Sequence, residues 1–317
     1  MVACVFFKST WKIISQPRHL GFVLCVVMVL FLRITSAFAG PNLVFDPRTG
    51  DVLYSANAGD KWYPASLTKM MTLYMTFEAL EQGRLRLDQP LKVSRRAAGQ
   101  TPSRLGLKAG QTITVNQVIL AMVTKSANDA ATVVAEALGG TEIEFAQMMT
   151  DRAHRLGMVR TRFTNATGLH NRRQRSTARD MSTLAMSLMA DFPQFYHYFS
   201  TPEFSYSGRR HQNHNGMLDT YRGTDGIKTG YTRASGFNLV VSVERNDRRL
   251  VGVIFGGRSP RSRDVHLRQL MDQAFARPST RKVRVIGRPG VKPRQDAAEN
   301  AKSAALTPTA PPERMPH

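Results

Sequence analysis

Cysteine is nearly absent from this 317-residue sequence, because the only two, Cys4 and Cys25, lie within its first 39 residues. The remaining residues therefore have no thiol and no disulfide, which excludes a small disulfide-stapled fold and suits an oxidising compartment. Long hydrophobic runs are also missing. The apolar stretch near the N-terminus, 21–32, holds 12 residues, too few for a comfortable membrane-spanning helix.

Acidic residues are scarce as well, since 23 Asp and Glu stand against 44 Lys and Arg, for a formal net charge of +21. Residues 1–39 carry four basic and no acidic side chains, so the rest of the chain has 21 − 4 = +17. Nucleic acid is the usual partner at such a charge. The basic residues are scattered rather than interleaved with aromatic ones, however, so we expect no nucleic-acid partner. An anionic wall polymer or membrane surface fits better.

Residues 1–39 have the pattern of a secretory signal peptide. Three basic residues precede the apolar stretch, and residues 37–39, Ala-Phe-Ala, have the small-x-small form of a cleavage site. We expect cleavage before Gly40 and export to the periplasm, in solution or on the outer face of the cytoplasmic membrane. An uncleaved membrane anchor is the alternative, because the basic lead is long for a signal peptide.

The pattern Ser-x-x-Lys occurs three times, but only Ser66 with Lys69 lies in a segment that is predicted to fold. Apolar residues at three- and four-residue steps predict a helix over 66–80, with both side chains on one face at its start. A serine hydroxyl needs a base before it can act as a nucleophile. A partly buried lysine beside other cations can be that base, because its pKa falls. The alternative is a capping serine with a surface lysine.

A second motif, Ser126-Ala127-Asn128, falls in a predicted loop between two helices. Side chains two residues apart in an extended turn can face one cleft. There the serine can relay a proton to a leaving amine, and the asparagine can donate to a substrate carbonyl. The tripeptide is weak by itself, since residues 55–57 repeat it and an Asx-type turn explains it equally well.

The third motif, Lys228-Thr229-Gly230, occurs once, just before a predicted strand. Its lysine would anchor a substrate carboxylate, and its glycine would let a substrate backbone approach closely. Each of the three motifs is ambiguous alone. Their order and their separations of 60 and 102 residues together indicate a serine acyl-transfer site.

On these motifs the sequence resembles the D-alanyl-D-alanine carboxypeptidases among the low-molecular-mass penicillin-binding proteins, over roughly residues 40–275. The matching segments are 66–72, 125–129, 165–169, 176–181 and 225–240. The combination of Ser-x-x-Lys with Lys-Thr-Gly is typical of penicillin-recognising enzymes. The resemblance implies a β-lactamase/transpeptidase-like α/β fold, with an antiparallel sheet from both chain ends flanked by helices and a helical subdomain.

The resemblance also implies a role for the motif residues. Ser66 is acylated by the penultimate D-alanine carbonyl of a peptidoglycan stem peptide, and Lys69 is its base. Ser126 carries the proton to the departing D-alanine, and Asn128 holds the peptide. β-Lactam antibiotics are expected to acylate the same serine, and no cofactor or metal is implied.

The remaining contacts to substrate follow from the same resemblance. The side chains that meet the terminal carboxylate are Lys228, Thr229 and Arg263. Gly230, the last residue of the third motif, also belongs to the substrate-binding residues. The backbone N–H groups of Ser66 and Tyr231 form the oxyanion hole. His214 stands where the family often has an arginine, and this departure leaves its role open.

Hydrophobic patterns predict a hairpin, six helices and two adjacent strands. The hairpin pairs 42–45 with 51–54, the helices cover 66–80, 114–123, 129–138, 141–156, 176–188 and 262–275, and the strands cover 237–243 and 250–255. We predict a peptidase domain over 40–276. Residues 277–317, with nine basic and three acidic side chains, predict a disordered basic tail that contacts membrane or wall weakly. No C-terminal β domain is expected, although the family commonly has one.

Other functions fit the sequence less well. A class A-like β-lactamase needs a deacylating glutamate, and Glu142, Glu144 and Glu203 lack its sequence context. An endopeptidase acting on cross-links stays open, whereas a non-catalytic wall-binding module is disfavoured because every motif is complete. No Gly-x-Ser-x-Gly elbow and no His-Glu-x-x-His occurs, so His211 and His214 are expected to be surface residues rather than a metal pair.

Overall fold

The structure is a computed structural model, and it describes residues 40–277. The predicted signal peptide, and the basic tail after residue 277, lie outside the described residues and stay predictions. Within the described range no helix combines the length and the apolar character needed to cross a membrane.

Nine strands and eight α-helices are present in the part of the chain that the structure describes. The strands are β1 (Asn42–Phe45), β2 (Val52–Ala56), β3 (Pro90–Lys92), β4 (Thr112–Thr114), β5 (Glu203–Tyr206), β6 (Arg209–Gln212), β7 (Thr224–Thr232), β8 (Gly236–Arg245) and β9 (Arg248–Gly257). The helices are α1 (Lys69–Glu81), α2 (Arg95–Ala98), α3 (Val115–Val123), α4 (Asn128–Gly139), α5 (Glu142–Arg155), α6 (Ala178–Asp191), α7 (Met217–Thr220) and α8 (Pro260–Ala276). Two 3₁₀ helices cover Ala65–Thr68 and Pro193–Ser200.

Five strands form the central antiparallel sheet, in the order β2-β1-β9-β8-β7. The first strand of the described chain therefore pairs with the last one, with Asn42 opposite Ile254. This confirms the predicted sheet from both chain ends. The remaining strands form two small sheets, β3–β4 and β5–β6.

Both faces of the central sheet are covered, and alternate residues of β8 show how. Leu239 and Val241 pack with Leu267 and Met271 of α8, whereas Val240 packs with the larger core that contains α1. Side chains of a strand alternate between faces, so a continuous run of apolar residues here serves two cores. The sheet thus separates α8 from a helical subdomain built from the middle of the chain.

Helix α1 is the central helix of that subdomain and is buried around its whole circumference, from Met70 to Phe77. The sequence predicted one helix over 66–80. The structure begins the α-helix at Lys69 and gives the preceding turn a 3₁₀ form. Around Phe77 lies a cluster of aromatic rings from the second 3₁₀ helix and its N-terminal neighbour, with Phe195 stacked at 5.1 Å between ring centroids.

The other predicted helices and strands are confirmed with small shifts at their ends, as in α6, which covers Ala178–Asp191 instead of 176–188. The Thr141 side chain accepts from the backbone N–H of Glu144, as the capping pattern predicted. The third motif does precede the predicted strand at 237–243, which is β8, but residues 228–230 themselves lie inside β7, a strand that the sequence pattern did not predict. The strands β3 to β6 were also missed, since each has only three or four residues.

Candidate active site

Ser66 lies in the 3₁₀ helix that leads into α1, and its side chain is half-buried. Neighbouring segments hold this turn in place. The Asn238 amide donates to the carbonyls of Tyr63 and Pro64, at 3.0 and 3.2 Å. Gly168 lies so close that a Cβ there would sit 1.9 Å from the Ala65 carbonyl oxygen. The serine is thus presented by a backbone that packing fixes from two sides.

Lys69 is fully buried, one helical turn from the serine. Its Nζ lies 3.3 Å from Ser66 Oγ, 2.7 Å from Asn128 Oδ1 and 2.6 Å from the Thr167 carbonyl oxygen. Burial, reinforced by the positive charge of Lys228, holds the pKa of Lys69 well below its ordinary value of 10.5. A lowered pKa makes the neutral amine easier to reach, so this lysine is suited to take a proton from the serine.

A second hydroxyl–lysine pair faces the first. Lys228 is buried, and its Nζ lies 3.0 Å from Ser126 Oγ, a residue 102 positions earlier in the chain. Burial and the neighbouring guanidinium of Arg263 lower the pKa of Lys228 to about 7. Ser126 has a left-handed backbone, with φ of 57°. That conformation turns the chain sharply where α3 gives way to α4.

Asn128 contacts the first pair through Lys69, and its side chain has more hydrogen-bond partners than its predicted role requires. Its Oδ1 accepts from Lys69, and its Nδ2 donates to the Thr101 carbonyl at 2.8 Å. A buried amide needs such partners, because each unsatisfied polar atom is costly. One Nδ2 hydrogen stays available for a substrate carbonyl.

The cleft that these residues border has a volume of about 430 Å³. Its described lining residues are Ser66, Pro102, Ser103, Ser126, Asn128, Gly168, Leu169, His214, Thr229, Gly230, Tyr231, Thr232, Phe237, Pro260 and Arg263. One wall is β7, the edge strand of the central sheet. An edge strand offers unpaired backbone groups to an extended peptide, which can add as a further strand.

Gly230 is required by packing within the protein, in addition to the expected close approach of a substrate. A Cβ at this position would lie 2.9 Å from the Pro64 carbonyl oxygen and 3.1 Å from the backbone nitrogen of Ser66. The glycine therefore lets β7 pack against the turn that carries the serine. The next residue, Tyr231, is 54% exposed, and its ring stacks on Phe237 with 4.2 Å between centroids.

Arg263 is buried at the start of α8 and lines the cleft. Its guanidinium contacts the Asp264 carboxylate at 2.8 Å and donates to the Asn238 carbonyl at 3.4 Å. The sequence placed it near the substrate carboxylate through resemblance alone. Its positive charge contributes to the lowered pKa of Lys228.

The loop that includes Pro102 and Ser103 was not predicted as part of the site. The Asp129 carboxylate holds it, accepting from the backbone N–H groups of Leu105, Gly106 and Leu107 at 2.8 to 3.1 Å. The Ser103 carbonyl then accepts from the backbone N–H of Asn128 at 2.7 Å. In the sequence, the only indication that this loop would be held at the site is Asp129, the acidic residue directly after the second motif.

The three glutamates considered for a deacylating role are engaged elsewhere. Glu142 accepts from the Ala166 backbone N–H and binds Arg96, Glu144 caps α5, and Glu203 pairs with Arg210. None of the described residues that line the cleft carries a carboxylate.

The two histidines do not form a metal site with other residues. Within residues 40–277 no group of three or more His, Cys, Asp or Glu side chains is arranged to hold a metal ion. His214 is exposed, as predicted, and lines the cleft, where desolvation and the charges of Lys228 and Lys125 lower its pKa to about 4. Its imidazole is therefore neutral at physiological pH.

The fold and the site together define a class. A serine beside a buried lysine, in a cleft between an antiparallel sheet and a helical subdomain, is the arrangement of the penicillin-recognising acyl-transfer proteins. A family model described as D-alanyl-D-alanine carboxypeptidase matches residues 34–259. The chain belongs to the D-alanyl-D-alanine carboxypeptidase family.

Individual relatives agree with this family. The chain is 32% identical over 237 residues to D-alanyl-D-alanine carboxypeptidase DacF of Bacillus subtilis, covering 73% of this chain and 61% of that relative. It is 32% identical to the D-alanyl-D-alanine endopeptidase of Pseudomonas aeruginosa, covering 66% and 68%. The crystal structure of penicillin binding protein 5 from Haemophilus influenzae superposes with a TM-score of 0.72 at 31% identity, covering 74% and 70%. The chain thus spans about three fifths of the Bacillus relative.

Proposed function

We propose that this protein is a serine D-alanyl-D-alanine carboxypeptidase, which removes the terminal D-alanine from peptidoglycan stem pentapeptides through an acyl-enzyme. The observation that carries the proposal is the contact of Ser66 Oγ with Lys69 Nζ at 3.3 Å, beside a cleft that also receives Ser126. The low pKa of Lys69 leaves it able to accept a proton. Such a hydroxyl–amine pair is the essential part of a serine nucleophile without histidine.

In the acylation step, neutral Lys69 takes the proton of Ser66 Oγ while that oxygen bonds to the carbonyl carbon of the penultimate D-alanine. The backbone N–H groups of Ser66 and Tyr231 stabilise the oxyanion of the tetrahedral intermediate. When the carbon–nitrogen bond breaks, the Ser126 hydroxyl gives its proton to the departing amine. The proton that Lys69 took from Ser66 then passes back to the Ser126 oxygen, which also contacts Lys228, so Ser126 is again a hydroxyl and Lys69 is neutral for the next step.

In the deacylation step, water attacks the ester carbonyl while Lys69 accepts a proton from that water. Lys69 then gives the proton to Ser66 Oγ as the ester bond breaks, which restores the serine and releases the shortened peptide. The terminal carboxylate of the substrate is held during acylation by Lys228, Thr229 and Arg263. Two cations near one carboxylate provide charge-assisted hydrogen bonds, which are stronger than neutral ones. This preference for a free terminal carboxylate is the basis of carboxypeptidase specificity.

A β-lactam carbonyl would undergo the same attack by Ser66, with one difference. Its leaving nitrogen stays tethered to the acyl group, so it continues to occupy the space that water needs. The absence of a carboxylate among the described cleft residues supports slow hydrolysis of the penicilloyl-enzyme and not β-lactamase activity. Stable covalent inhibition by penicillin is the expected result.

The experiment that tests the proposal is Ser66→Ala, measured by D-alanine release from a pentapeptide and by labelling with fluorescent penicillin. Both activities should be lost, while the midpoint of thermal unfolding changes little, because the side chain has a single hydrogen bond at 3.3 Å. Ser205→Ala, at an exposed position of β5, is the matched control and should retain both. Retention of either activity by Ser66→Ala would remove this residue from the nucleophile role.

Endopeptidase cleavage of cross-linked stem peptides is the second candidate, favoured by the similarity to the Pseudomonas aeruginosa endopeptidase. The same acyl-enzyme would form, and only the leaving group would be larger. Assaying the purified protein on a pentapeptide and on a cross-linked peptide dimer separates the two. Faster cleavage of the dimer would reassign the protein to the endopeptidases.

Export to the periplasm and contact of the basic tail with an anionic surface are also part of the proposal. Both rest on the sequence of residues 1–39 and 277–317 and not on described structure. A tail charge of +6 (nine basic minus three acidic residues) should give weak adhesion to anionic vesicles that is lost at high salt. Sedimentation with such vesicles at low and at high ionic strength checks this, and salt-independent binding would contradict it.

A further inference from the structure

A second cavity adjoins the catalytic cleft, and the proposed mechanism makes no use of it. It has a volume of about 520 Å³ and is lined by Lys125, Arg210, His211, Gln212 and His214. His214 lines the cleft as well, so the two spaces lie on either side of one residue. The five side chains are all polar, and those with a charge near neutral pH are basic.

The positive charge of this cavity is poorly compensated. Across residues 40–277, Lys125 forms no ion pair. Arg210 pairs with Glu203 at 2.5 Å, but the arginine side chain is 72% exposed, and such a pair is weak and exchangeable. Burial, with the charges of Lys125 and Arg209, lowers the pKa of His211. The cavity therefore offers cations and neutral imidazole N–H groups, a combination that suits a carboxylate.

The cavity is fixed to the catalytic residues by backbone contacts. Lys125 directly precedes Ser126, and Arg210 and His211 lie on β6. After β6 the chain is held back by Asn213, whose backbone N–H donates to the Pro202 carbonyl at 2.7 Å. The backbone N–H of His214 then donates to the Thr124 carbonyl at 3.3 Å. A ligand group bound in the cavity would therefore lie at a fixed position relative to Ser66.

We propose that the cavity lined by Lys125, Arg210, His211, Gln212 and His214 binds a second carboxylate of the peptide substrate, apart from the terminal carboxylate held in the cleft. The inference rests on the proposed function, since it concerns the same peptide. It assigns the cavity a part in specificity and not in bond breaking. Acidic peptides should therefore be better substrates than the corresponding amides.

The test compares synthetic peptides that differ by one free carboxylate. In the first pair, the residue before D-Ala-D-Ala has a side chain that is either a free acid or the corresponding amide. In the second pair, the residue released by cleavage is either D-Glu or D-Gln. The variant is Lys125→Gln/Arg210→Gln. The control, Arg86→Gln/Lys92→Gln, removes the same net charge at exposed positions elsewhere. The readout is the ratio of kcat/KM for the acid to that for the amide.

In the unmodified protein and in the control, we expect kcat/KM to be higher for the acid than for the amide in one of the two pairs. In the Lys125→Gln/Arg210→Gln variant the acid-to-amide ratio for that pair should be about 10-fold smaller, which corresponds to ~1.4 kcal/mol. The pair that responds shows on which side of the scissile bond the second carboxylate lies. Raising the ionic strength should reduce the ratio in the unmodified protein. An unchanged ratio in both pairs would overturn the proposal.

Two further measurements keep this result distinct from failure of the catalytic proposal. Fluorescent penicillin should label the variant at nearly the rate of the unmodified protein. If the change at Lys125 disturbs Ser126, the acid-to-amide ratio is measured with Arg210→Gln alone. If no peptide is turned over at all, the dissociation constants of the acid and amide peptides for Ser66→Ala protein are compared with and without Lys125→Gln/Arg210→Gln. Equal constants in both backgrounds would overturn the second carboxylate site directly.

Discussion

Gly230→Ala is a sharp test of how the nucleophile is positioned. The new methyl group would lie 2.9 Å from the Pro64 carbonyl oxygen and 3.1 Å from the backbone nitrogens of Ser66 and Leu67. All three atoms belong to the backbone, so no side chain can rotate away. β7 must therefore move from the 3₁₀ helix by a few tenths of an ångström or more.

This movement should affect catalysis more than stability. Overpacking of this kind costs about 1–3 kcal/mol, which lowers the midpoint of thermal unfolding by several degrees in a chain of this size. The same shift separates the N–H groups of Ser66 and Tyr231, which we propose to stabilise the oxyanion. Misplacement of a catalytic group by about 1 Å costs about 10²-fold in rate, and loss of an oxyanion donor costs about 10²–10³-fold.

The assay is the rate constant for acylation by fluorescent penicillin, measured beside thermal unfolding. Gly59→Ala is the matched control, because its methyl group would meet only the end of the flexible Arg160 side chain, at 3.5 Å. We expect the control to label normally and Gly230→Ala to label about 10²-fold more slowly, the lower end of the range above. Normal labelling by Gly230→Ala would show that the tight contact between β7 and Ser66 is not needed.

Three further predictions concern buried polar residues. Lys69→Arg introduces a guanidinium that stays protonated and cannot act as a base. Penicillin labelling should therefore fall by about 10²–10⁴-fold in protein that still unfolds cooperatively, and near-normal labelling would contradict the base role. Lys228→Met should abolish D-alanine release yet raise the unfolding midpoint at pH 7. The folded pKa of about 7 lies below the unfolded value of 10.5, so the folded protein holds fewer protons between them, and the gain should shrink as the pH rises towards 10.5. An equal gain at pH 7 and pH 10 would count against this explanation. Asp129→Ala removes the acceptor of four backbone N–H groups and should cost about 3 kcal/mol or more in chemical denaturation, whereas Asp129→Asn, which keeps one oxygen, should cost less.

The local pattern of the sequence predicted much of the fold, because helices and apolar strands have their own periodicity. It also placed Ser66 and Lys69 on one face of a turn, and the structure brings them within hydrogen-bond distance. The prediction failed for β7. Its sequence, TDGIKTGYT, mixes two glycines with polar residues, so neither a period of two nor an apolar run is visible.

Contacts between distant segments could not be predicted in the same way. The Lys69–Asn128 hydrogen bond joins residues 59 positions apart, and the contact of Gly230 with the backbone of Ser66 spans more than 160. Both depend on how the helical subdomain packs against the sheet. Lys228 is a further example, because a lysine in a strand is normally exposed, and only the assembled cleft explains its burial.

The pairing of β1 with β9 has a consequence for how the chain matures. Residues 42–45 leave the ribosome early, but the strand that covers one side of them, Arg248–Gly257, follows about 200 residues later. Until then β1, which is fully buried in the folded protein, has only β2 paired with it, and contacts of such long sequence separation form slowly. We expect newly made chains to need protection from aggregation, and to gain enzymatic competence late and all at once.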